Sequence, residues 1–508
     1  MNSIQQLLED VVVAPRASRP ALVCGDESVS FGALASRVRR SAGALRGFGV
    51  KPGERVLLLM RDTPTFATAW LGALHAGSVA VALNSRLSEP DYRHILADSE
   101  ARLVIVEDVF VAARPDLTAE LAAAGRIAIS GVPRGLPSWD QAVARAGEID
   151  AQPVGKEAPA LWLYSSGTTG RPKGIVHSHR AVGCVGGAYR ELGLREGDRV
   201  FTTSRLFFAY GLEHGLLAPL ALGATSILCA DWPEPGIVAD VVARHSPAAL
   251  FSVPTIYRRL LAEPPERLRP FADVRRFVAG GERISARLVE GWRAASGGEL
   301  LNLYGASETF CACMLTPAGS SDGLRTGQPL PGVEVRLVDS SNREPPHGQP
   351  GVLWLRHPAQ ARAYANLPEK TGEQFVDGWF CSRDMFVRDG EGFLVHQGRS
   401  DELLKIAGQW VHPGELEEVA AQAAAVGEAA CVPVRDGDGL ERLAVFITAS
   451  GNSDDALRAA GEAFERALPR HKRPKWLRAI NELPRTATGK IQRYKLREIL
   501  ERELTGRD

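Results

Sequence analysis

The stretch YSSGTTGRPKG, which runs from Tyr164 to Gly174, combines three glycines and four Ser/Thr hydroxyls with a single lysine, Lys173. Glycines let backbone N–H groups approach an anion, hydroxyls donate to phosphate oxygens, and a lysine adds positive charge. The spacing is not that of a Walker A loop, because Gly167 and Gly170 stand too close together and two residues separate Gly170 from the lysine. The apolar run ALWLY that leads into the glycines predicts a buried strand. The stretch therefore predicts a phosphate-binding loop of another kind, placed where a strand ends.

The bulk composition narrows the class of protein. A chain of 508 residues is too long for one core and predicts about three domains or subdomains. Lys+Arg and Asp+Glu are equal at 60 each, so no net charge favours nucleic acid or an acidic membrane surface. The seven cysteines lack the spacing of a disulfide framework, which favours a reducing compartment. No basic leader segment or membrane-length apolar run is found, so we expect a soluble, cytoplasmic protein.

The pattern of apolar runs predicts the fold class. Through the first three hundred residues, short apolar runs such as RVLLLM (55–60) and RLVIVE (102–107) alternate with helical patterns. This alternation predicts right-handed βαβ units and an α/β fold with two mainly parallel sheets. After Thr326 the chain changes to short strands with Gly/Pro turns, which predict a β-barrel subdomain. The part that follows GRSDELLK (398–405) suits a small α+β domain.

Further polar residues complete a predicted nucleotide site. NLYGASETF places Tyr304, Ser307 and Glu308 at the end of a strand, which is where open α/β sheets bind ligands. AGGERIS ends another strand with two glycines and an acid. Asp384 lies in WFCSRD, and Lys490 lies in PRTATGK, a run that predicts an exposed turn. A phosphate loop, an acidic turn and a distant lysine together predict a nucleotide site with a carboxylate ligand for Mg²⁺.

Eight motifs occur in the order that is typical of one enzyme superfamily. They are YSSGTTGRPKG, LFFAYG, AGGE, LYGASET, GQPLPGVEV, SRD, GRSDELLKIAGQWVHPGELE and PRTATGKI. In these motifs, over nearly its whole length, the chain resembles the adenylate-forming enzymes: acyl- and aryl-CoA synthetases, peptide-synthetase adenylation domains and firefly-type luciferases. The resemblance implies a large N-terminal domain over 1–398, with sheets to about 325 and a β-barrel over about 326–398. It also implies a hinge at 399–401 and a small, mobile C-terminal domain over 402–508.

The same resemblance implies the nucleotide-binding residues. Lys490, Lys173 and Glu308 would be catalytic, with Glu308 also holding Mg²⁺ and Lys490 reaching both the carboxylate and the α-phosphate. Ser307 stands where most relatives have threonine, so the hydroxyl is kept. The implied ATP- and AMP-binding residues are Ser165, Ser166, Gly167, Thr168, Thr169, Gly170, Gly281, Glu282, Tyr304, Gly305, Ser307, Asp384 and Arg399. Among them, Tyr304 and the Gly281-Glu282 backbone would sandwich adenine, and Asp384 would hold the ribose hydroxyls with Arg399 assisting.

In the CoA-forming members of the family, the C-terminal domain rotates between the two half-reactions. By resemblance, Asp401 is the pivot, and Gly408 lets the pantetheine arm pass close to the backbone. Arg86 and Arg473 would bind the nucleotide phosphates of CoA, and His471 stands where relatives place an aromatic ring against its adenine.

The run RLFFAYGLEHG resembles benzoate-CoA ligases and implies an aryl pocket. Three departures from those enzymes stand out: Cys311 replaces a histidine, Ala188 replaces a larger apolar residue, and Glu213-His214 replaces Gly-Asn. Two of these changes remove volume, which predicts room for a ring substituent or a bulkier ring. The implied pocket residues are Ala188, Phe208, Ala209, Tyr210, Gly211, Gly305, Thr309, Phe310 and Cys311.

The prediction is an ATP-dependent, AMP-forming aryl-CoA ligase for benzoate or a hydroxy- or aminobenzoate, with ATP, Mg²⁺ and CoA as cofactor and co-substrates. Two alternatives stay open: an alicyclic carboxylate as substrate, or transfer of the aryl group to a carrier protein instead of CoA. A homodimer also stays open, and we expect neither nucleic acid nor a membrane as partner. His177 and His179 suggest a metal pair, but no further ligand stands near them in the sequence, so we interpret them as packing residues.

Overall fold

The computed structural model describes residues 2–11, 16–165, 171–402, 404–406, 409–423, 425–437, 439–485 and 491–505. The chain divides into two units, each of which gathers two segments. Unit 1 comprises Met1–Val335 and Trp354–Ser382, and unit 2 comprises Arg336–Leu353 and Arg383–Asp508.

The strands are numbered in chain order. They are β1 Pro20–Cys24, β2 Glu27–Ser30, β3 Arg55–Leu59, β4 Val79–Ala82, β5 Leu103–Glu107, β6 Ile127–Ser130, β7 Pro159–Ser165, β8 Lys173–Ser178, β9 Arg199–Thr202, β10 Thr225–Leu228, β11 Ala249–Ser252, β12 Arg276–Gly280, β13 Leu300–Tyr304, β14 Met314–Leu315, β15 Gln328–Pro329, β16 Glu334–Val338, β17 Gly351–Arg356, β18 Ala363–Tyr364, β19 Phe375–Val376, β20 Trp379–Arg388, β21 Leu394–Arg399, β22 Leu404–Ile406, β23 Gln409–Val411, β24 Val426–Arg435, β25 Glu441–Ala449 and β26 Trp476–Ala479.

The helices are numbered in the same way. They are α1 Ser3–Val11, α2 Phe31–Gly47, α3 Pro64–His75, α4 Glu89–Ser99, α5 Asp108–Val111, α6 Pro115–Ala123, α7 Trp139–Arg145, α8 His179–Val182, α9 Gly187–Glu191, α10 Ala209–Leu212, α11 Ala218–Leu222, α12 Pro235–His245, α13 Pro254–Leu260, α14 Pro265–Leu268, α15 Ala286–Ser296, α16 Pro368–Gln374, α17 Pro413–Ala421, α18 Ser453–Ala467 and α19 Arg493–Thr505. A π-helical turn, Glu213–Leu217, joins α10 to α11, and short 3-10 turns occupy Arg16–Ser18, Arg269–Asp273, Ser400–Glu402 and Arg470–Lys472.

Two large sheets organise unit 1. The seven-stranded sheet has the order β18-β8-β7-β4-β3-β5-β6, and the nine-stranded sheet has the order β15-β14-β13-β12-β11-β9-β10-β1-β2. Strands β7, β4, β3, β5 and β6 run parallel, as do β13, β12, β11, β9, β10 and β1. The continuous apolar runs in β3 and β5 are buried on both faces, as parallel strands between helical layers require. The predicted α/β fold with two mainly parallel sheets is confirmed.

The chain passes between the units within β16, β17 and β20. These strands and β19 follow one another in the order β16-β17-β20-β19, and β21 pairs with β20. They are the strands that the Gly/Pro turns after Thr326 predicted. Residues 399–401, the predicted hinge, lie within unit 2, and the predicted domain bounds stay a prediction.

Unit 2 has the α+β character that the sequence predicted. The antiparallel pair β24 and β25 continues into β26, which runs parallel to β25. Side chains alternate along β24, so Cys431 belongs to the core cluster of α17 and α18, while Val432 belongs to the cluster of α19. This period of two places helices on both faces of a small sheet. Across the described ranges of both units, every helix is too short or too polar to cross a membrane.

Candidate active site

The glycine-rich stretch connects two antiparallel strands. Strand β7 pairs with β8, and Ser165 lies opposite Lys173 in their register. The ends of the stretch are therefore fixed at the tip of a two-stranded ribbon, with Lys173 on its return strand. The predicted phosphate-contacting residues Ser166, Gly167, Thr168, Thr169 and Gly170 lie outside the described residues.

The turn that carries Glu308 follows β13 and is held by its own hydrogen bonds. The Thr309 hydroxyl accepts from the Ala306 N–H at 3.1 Å and lies 3.0 Å from the Ala306 carbonyl. The His177 Nε2 lies 2.8 Å from the Ser307 carbonyl, and since a carbonyl can only accept, Nε2 carries the proton. Burial lowers the pKa of His177 to about 4, so the ring is neutral. Hydrogen bonds thus hold the chain both before Glu308, at Ser307, and after it, at Thr309.

Two side chains from distant parts of unit 1 meet at Glu308. The Lys173 ammonium lies 3.1 Å from Glu308 Oε1, and the Tyr364 hydroxyl donates to the same oxygen at 2.7 Å. The ammonium also sits 3.9 Å from the centre of the Tyr364 ring, within the range of a cation–π interaction. We call Lys173, Glu308 and Tyr364 the acidic cluster.

The acidic cluster keeps its carboxyl group ionised. Burial acts to raise the pKa of Glu308, but the charge of Lys173 and the hydrogen bonds from Tyr364 and Lys173 outweigh it, so the pKa is lowered. The side chains of Lys173 and Glu308 keep only 14% and 13% of their surface exposed. A carboxylate held ionised in this way is the oxygen ligand that Mg²⁺ prefers.

Sequence reasoning missed Tyr364. Its oxygen also contacts the Gln374 side chain. A hydroxyl has only one proton to donate, and we assign that proton to the charged carboxylate of Glu308 rather than to Gln374 Oε1. The only available signal was an aromatic residue in the run ARAYANLPEKT, and nothing in that run indicates a contact with Glu308.

The two strand ends predicted to bind adenine lie side by side. Strands β12 and β13 are parallel neighbours, with Gly280 opposite Leu303, so Gly281 and Tyr304 follow at one edge. A Cβ at Gly280 would lie 2.9 Å from the Leu303 carbonyl oxygen, so this position requires glycine. Gly281 has a φ of +84°, in the left-handed region that favours glycine.

The other predicted residues of this edge are part-exposed. Tyr304 and Ser307 are half-buried and Gly305 is exposed. Glu282 accepts from the Thr255 hydroxyl at 2.7 Å and faces Arg258 at 3.6 Å. The accessible Tyr304 ring and the glycine backbone at Gly281 could contact the two faces of a planar base.

The predicted ribose group is assembled within unit 2. Asp384 and Arg399 stand opposite each other on β20 and β21, and the guanidinium approaches the Asp384 carboxylate at 3.4 Å. The same guanidinium contacts both oxygens of Asp401, at 2.8 and 2.9 Å. The predicted pivot residue is therefore tied to the predicted ribose-binding arginine.

The predicted acyl-pocket residues lie on three neighbouring segments of unit 1. Phe208 caps the N-terminus of α10, which carries Ala209, Tyr210 and Gly211. A Cβ at Gly211 would lie only 2.1 Å from the Arg205 carbonyl oxygen, so the chain needs glycine there. The other two segments are α9, with the fully buried Ala188, and the turn after Glu308.

That turn contains a strained residue and two buried ones. Phe310 has a φ of +61°, which a side chain with a Cβ rarely adopts. Its ring lies 5.2 Å from that of His177. Thr309 and Cys311 are buried, and the Thr309 hydroxyl is engaged by the turn itself.

Glu213 and His214 are buried beside these segments. The Ala312 N–H donates to Glu213 Oε2 at 2.9 Å, and burial raises the pKa of Glu213 to about 7. His214 stacks on Phe251 at 4.4 Å, and burial lowers its pKa to about 3. The pair that replaces Gly-Asn thus lies in the interior.

The residues predicted for CoA and for catalysis by the C-terminal domain are only partly described. Arg86 is exposed, and its guanidinium stacks 3.5 Å above the Trp232 ring. Arg473 donates to the Leu468 and Glu465 carbonyls, at 3.0 and 2.8 Å. Lys490, Gly408 and the His471 side chain lie outside the described residues.

Comparison with known proteins places the chain in a family. The model of the AMP-binding enzymes matches residues 9–365, and that of their C-terminal domain matches residues 415–490. The chain belongs to the AMP-binding enzyme family. This confirms the predicted superfamily and the prediction of an enzyme.

Individual relatives match this chain over nearly its full length. A 3-hydroxybenzoate–CoA ligase of Aromatoleum sp. (strain CIB) is 39% identical, and the alignment covers 98% of this chain and 97% of the relative. The crystal structure of a benzoate CoA ligase from Burkholderia xenovorans LB400 has a TM-score of 0.90 at 35% identity, over 98% and 100% of the two chains. An anthranilate CoA ligase in complex with anthranoyl-AMP has a TM-score of 0.90 at 30% identity, over 98% and 97%.

Proposed function

We propose that this AMP-binding enzyme is an ATP-dependent aryl-CoA ligase. It activates a small aromatic carboxylic acid (benzoate or a hydroxy- or aminobenzoate) as its acyl-AMP, and it then transfers the acyl group to the thiol of CoA. The relatives named above are benzoate-type CoA ligases that match this chain over nearly its full length.

The observation that carries the proposal is the acidic cluster beside the glycine-rich connection. A cation on the return strand of the β7–β8 ribbon and an ionised, part-buried carboxylate 3.1 Å away supply charges of both signs where a triphosphate would lie. Such charges stabilise a transition state only when the fold holds them in place before reaction. Hydrogen bonds from Tyr364 and around the 306–309 turn supply that fixation.

In the first half-reaction, a carboxylate oxygen of the acid forms a bond to the α-phosphorus of ATP. The bond from that phosphorus to the β-phosphate oxygen breaks, and pyrophosphate leaves. Lys173 would orient the leaving phosphates, and Ser307 would donate to the α-phosphate. Two anions have to meet in this step, so positioning and charge make up most of the barrier.

Glu308 would hold Mg²⁺, which neutralises charge on the leaving pyrophosphate. In the described ranges, no group of three or more His, Cys, Asp or Glu side chains is arranged to hold a metal ion. The remaining ligands at Glu308 would therefore be phosphate oxygens and water, as is usual for Mg²⁺ bound to a nucleotide. The ionised state of Glu308 fits this role.

In the second half-reaction, the CoA sulfur attacks the carbonyl carbon of the acyl-AMP. The bond between that carbon and the AMP oxygen breaks, and the thiol proton passes to solvent. We infer from the family resemblance that Lys490 serves the first half-reaction and that the segment with Gly408 serves the second. Rotation about Asp401 would exchange the two.

A panel of carboxylic acids tests the function. Pyrophosphate release is measured with and without CoA for benzoate, its hydroxy and amino derivatives, cyclohexane carboxylate and a long-chain fatty acid, and thioester formation is followed in parallel. We expect a CoA thioester of an aromatic acid. A preference for fatty acids would refute the aryl pocket, and a preference for cyclohexane carboxylate would establish the alicyclic alternative. Acyl-AMP that reacts only with a carrier protein would refute the CoA ligase.

A further inference from the structure

One buried acid of the acyl pocket has no role in the chemistry above. Glu213 begins the π-helical turn that directly follows α10, so it continues the wall formed by Ala209–Leu212. Its Oε2 accepts from the Ala312 N–H at 2.9 Å, next to Cys311 on a second wall. The Gly186 backbone also lies close to the carboxyl, two residues before Ala188 on the third. Glu213 therefore lies where all three predicted wall segments meet.

The second carboxyl oxygen of Glu213 is unsatisfied. Only 1% of the residue is exposed, and no donor among the described residues makes a hydrogen bond to Oε1. The Gly186 N–H and the Cys311 thiol lie close to the carboxyl, but neither makes a hydrogen bond to Oε1, and a thiol is a weak donor. The His214 Nε2 lies 3.3 Å from Oε2 without hydrogen-bond geometry. A buried acceptor without a donor costs free energy that the fold could avoid by placing an apolar residue there.

A donor on the substrate ring would satisfy this oxygen. We propose that Glu213 determines specificity by accepting, at Oε1, a hydrogen bond from a hydroxyl or amino group on the ring of the aromatic acid. The proposal rests on the proposed aryl-CoA ligase function and narrows its substrate class to benzoates that carry a hydrogen-bond donor. A site built around an unpaired acceptor rejects the analogue that lacks the donor, because the acceptor then stays buried and unpaired.

The alternative role for Glu213 is purely structural, holding the Ala312 N–H, and two variants separate the two roles. In Glu213→Gln, the side-chain carbonyl still accepts from Ala312, but an NH₂ group now replaces Oε1. A ring hydroxyl can accept from that NH₂, whereas a ring amino group is a poor acceptor. Glu213→Leu removes both functions at similar volume.

The experiment uses the full-length enzyme with benzoate and with its hydroxy, amino and methyl derivatives at ring positions 2, 3 and 4. The readout is kcat/KM for CoA thioester formation. At one ring position, and at a pH above about 8 where Glu213 is ionised, we expect the wild type to favour the hydroxy or amino acid over the methyl acid by about tenfold to one-hundredfold, the range for a hydrogen bond to a charged group. Glu213→Leu should abolish that preference, and Glu213→Gln should lose the amino substrate more than the hydroxy substrate.

Glu107→Gln is the matched control. Glu107 is a buried acid at the end of β5 in the seven-stranded sheet, and it pairs with Arg61 at 2.7 Å. This variant should leave the ratio of hydroxy to methyl substrates unchanged. A wild type that shows no donor preference, or Glu213 variants that slow all acids equally, would overturn the role of Glu213 while the ligase function stands. If the wild type forms no aryl thioester with any acid, the proposed function fails, and this inference fails with it.

Discussion

Replacing Tyr364 by phenylalanine isolates the hydrogen bond that fixes Glu308. The ring and its cation–π contact with Lys173 remain, while the 2.7 Å bond to Glu308 Oε1 is lost. A hydrogen bond to a charged group contributes about 1.5–3 kcal/mol, so we expect the free energy of unfolding at pH 7 to fall by about that amount. The measurement is the shift in urea midpoint of the first unfolding transition, at an unchanged slope.

Tyr257→Phe is the matched control, because that buried hydroxyl donates to the neutral Leu250 carbonyl at 2.9 Å. Its expected cost is smaller, about 0.5–1.5 kcal/mol. The pH dependence separates the two variants. Tyr364 helps to lower the pKa of Glu308, so its contribution is present above the ordinary glutamate pKa of about 4.3 and is lost as the pH falls through the lowered value. Equal costs for the two variants, or a cost of Tyr364→Phe that grows on acidification, would refute the assignment of the hydroxyl proton.

Three other predictions follow from the same contacts. Gly211→Ala should destabilise unit 1 by about 1–3 kcal/mol or prevent folding, since its Cβ would lie 2.1 Å from a carbonyl oxygen. Gly236→Ala, whose Cβ would lie in open space, should not lower the temperature of thermal unfolding. Burial raises the pKa of Glu213 to about 7, so the stability that Glu213 contributes is present below about 4.3 and is lost as the pH rises to 7; the Tm of the wild type minus that of Glu213→Gln should therefore fall over this range. Lys173→Met should slow pyrophosphate release about 100-fold, and an unchanged rate would remove this lysine from the chemistry.

The sequence predicted those parts of the fold that depend on local patterns. Continuous apolar runs such as those of β3 and β5 can only be buried on both faces, so they predicted parallel strands correctly. The glycine-rich stretch was placed at the end of a strand, and it follows β7. The ends of β12 and β13 were both expected to form the site, and they are neighbours. Motifs in family order then identified the superfamily.

Contacts between distant residues could not be predicted in this way. Glu308 meets Lys173 across 135 residues and Tyr364 across 56, while periodicity reports only on neighbours along the chain. The hydrogen bond from His177 to the Ser307 carbonyl spans 130 residues, and no local pattern around either residue indicates it. Glu213 was noticed only as a departure from relatives, because an unpaired oxygen is a property of the packed interior.

The way the chain alternates between the units limits how the protein can be divided. Unit 2 contains Arg336–Leu353 as well as Arg383–Asp508, and the chain returns to unit 1 for Trp354–Ser382 in between. A single cut therefore cannot release either unit whole: a fragment that begins at Arg383 lacks a segment of its own unit, and one that ends at Val335 lacks Tyr364. Recombination that exchanges C-terminal parts between relatives would transfer an incomplete unit unless the crossover lies before Arg336, and it would then replace Tyr364 as well.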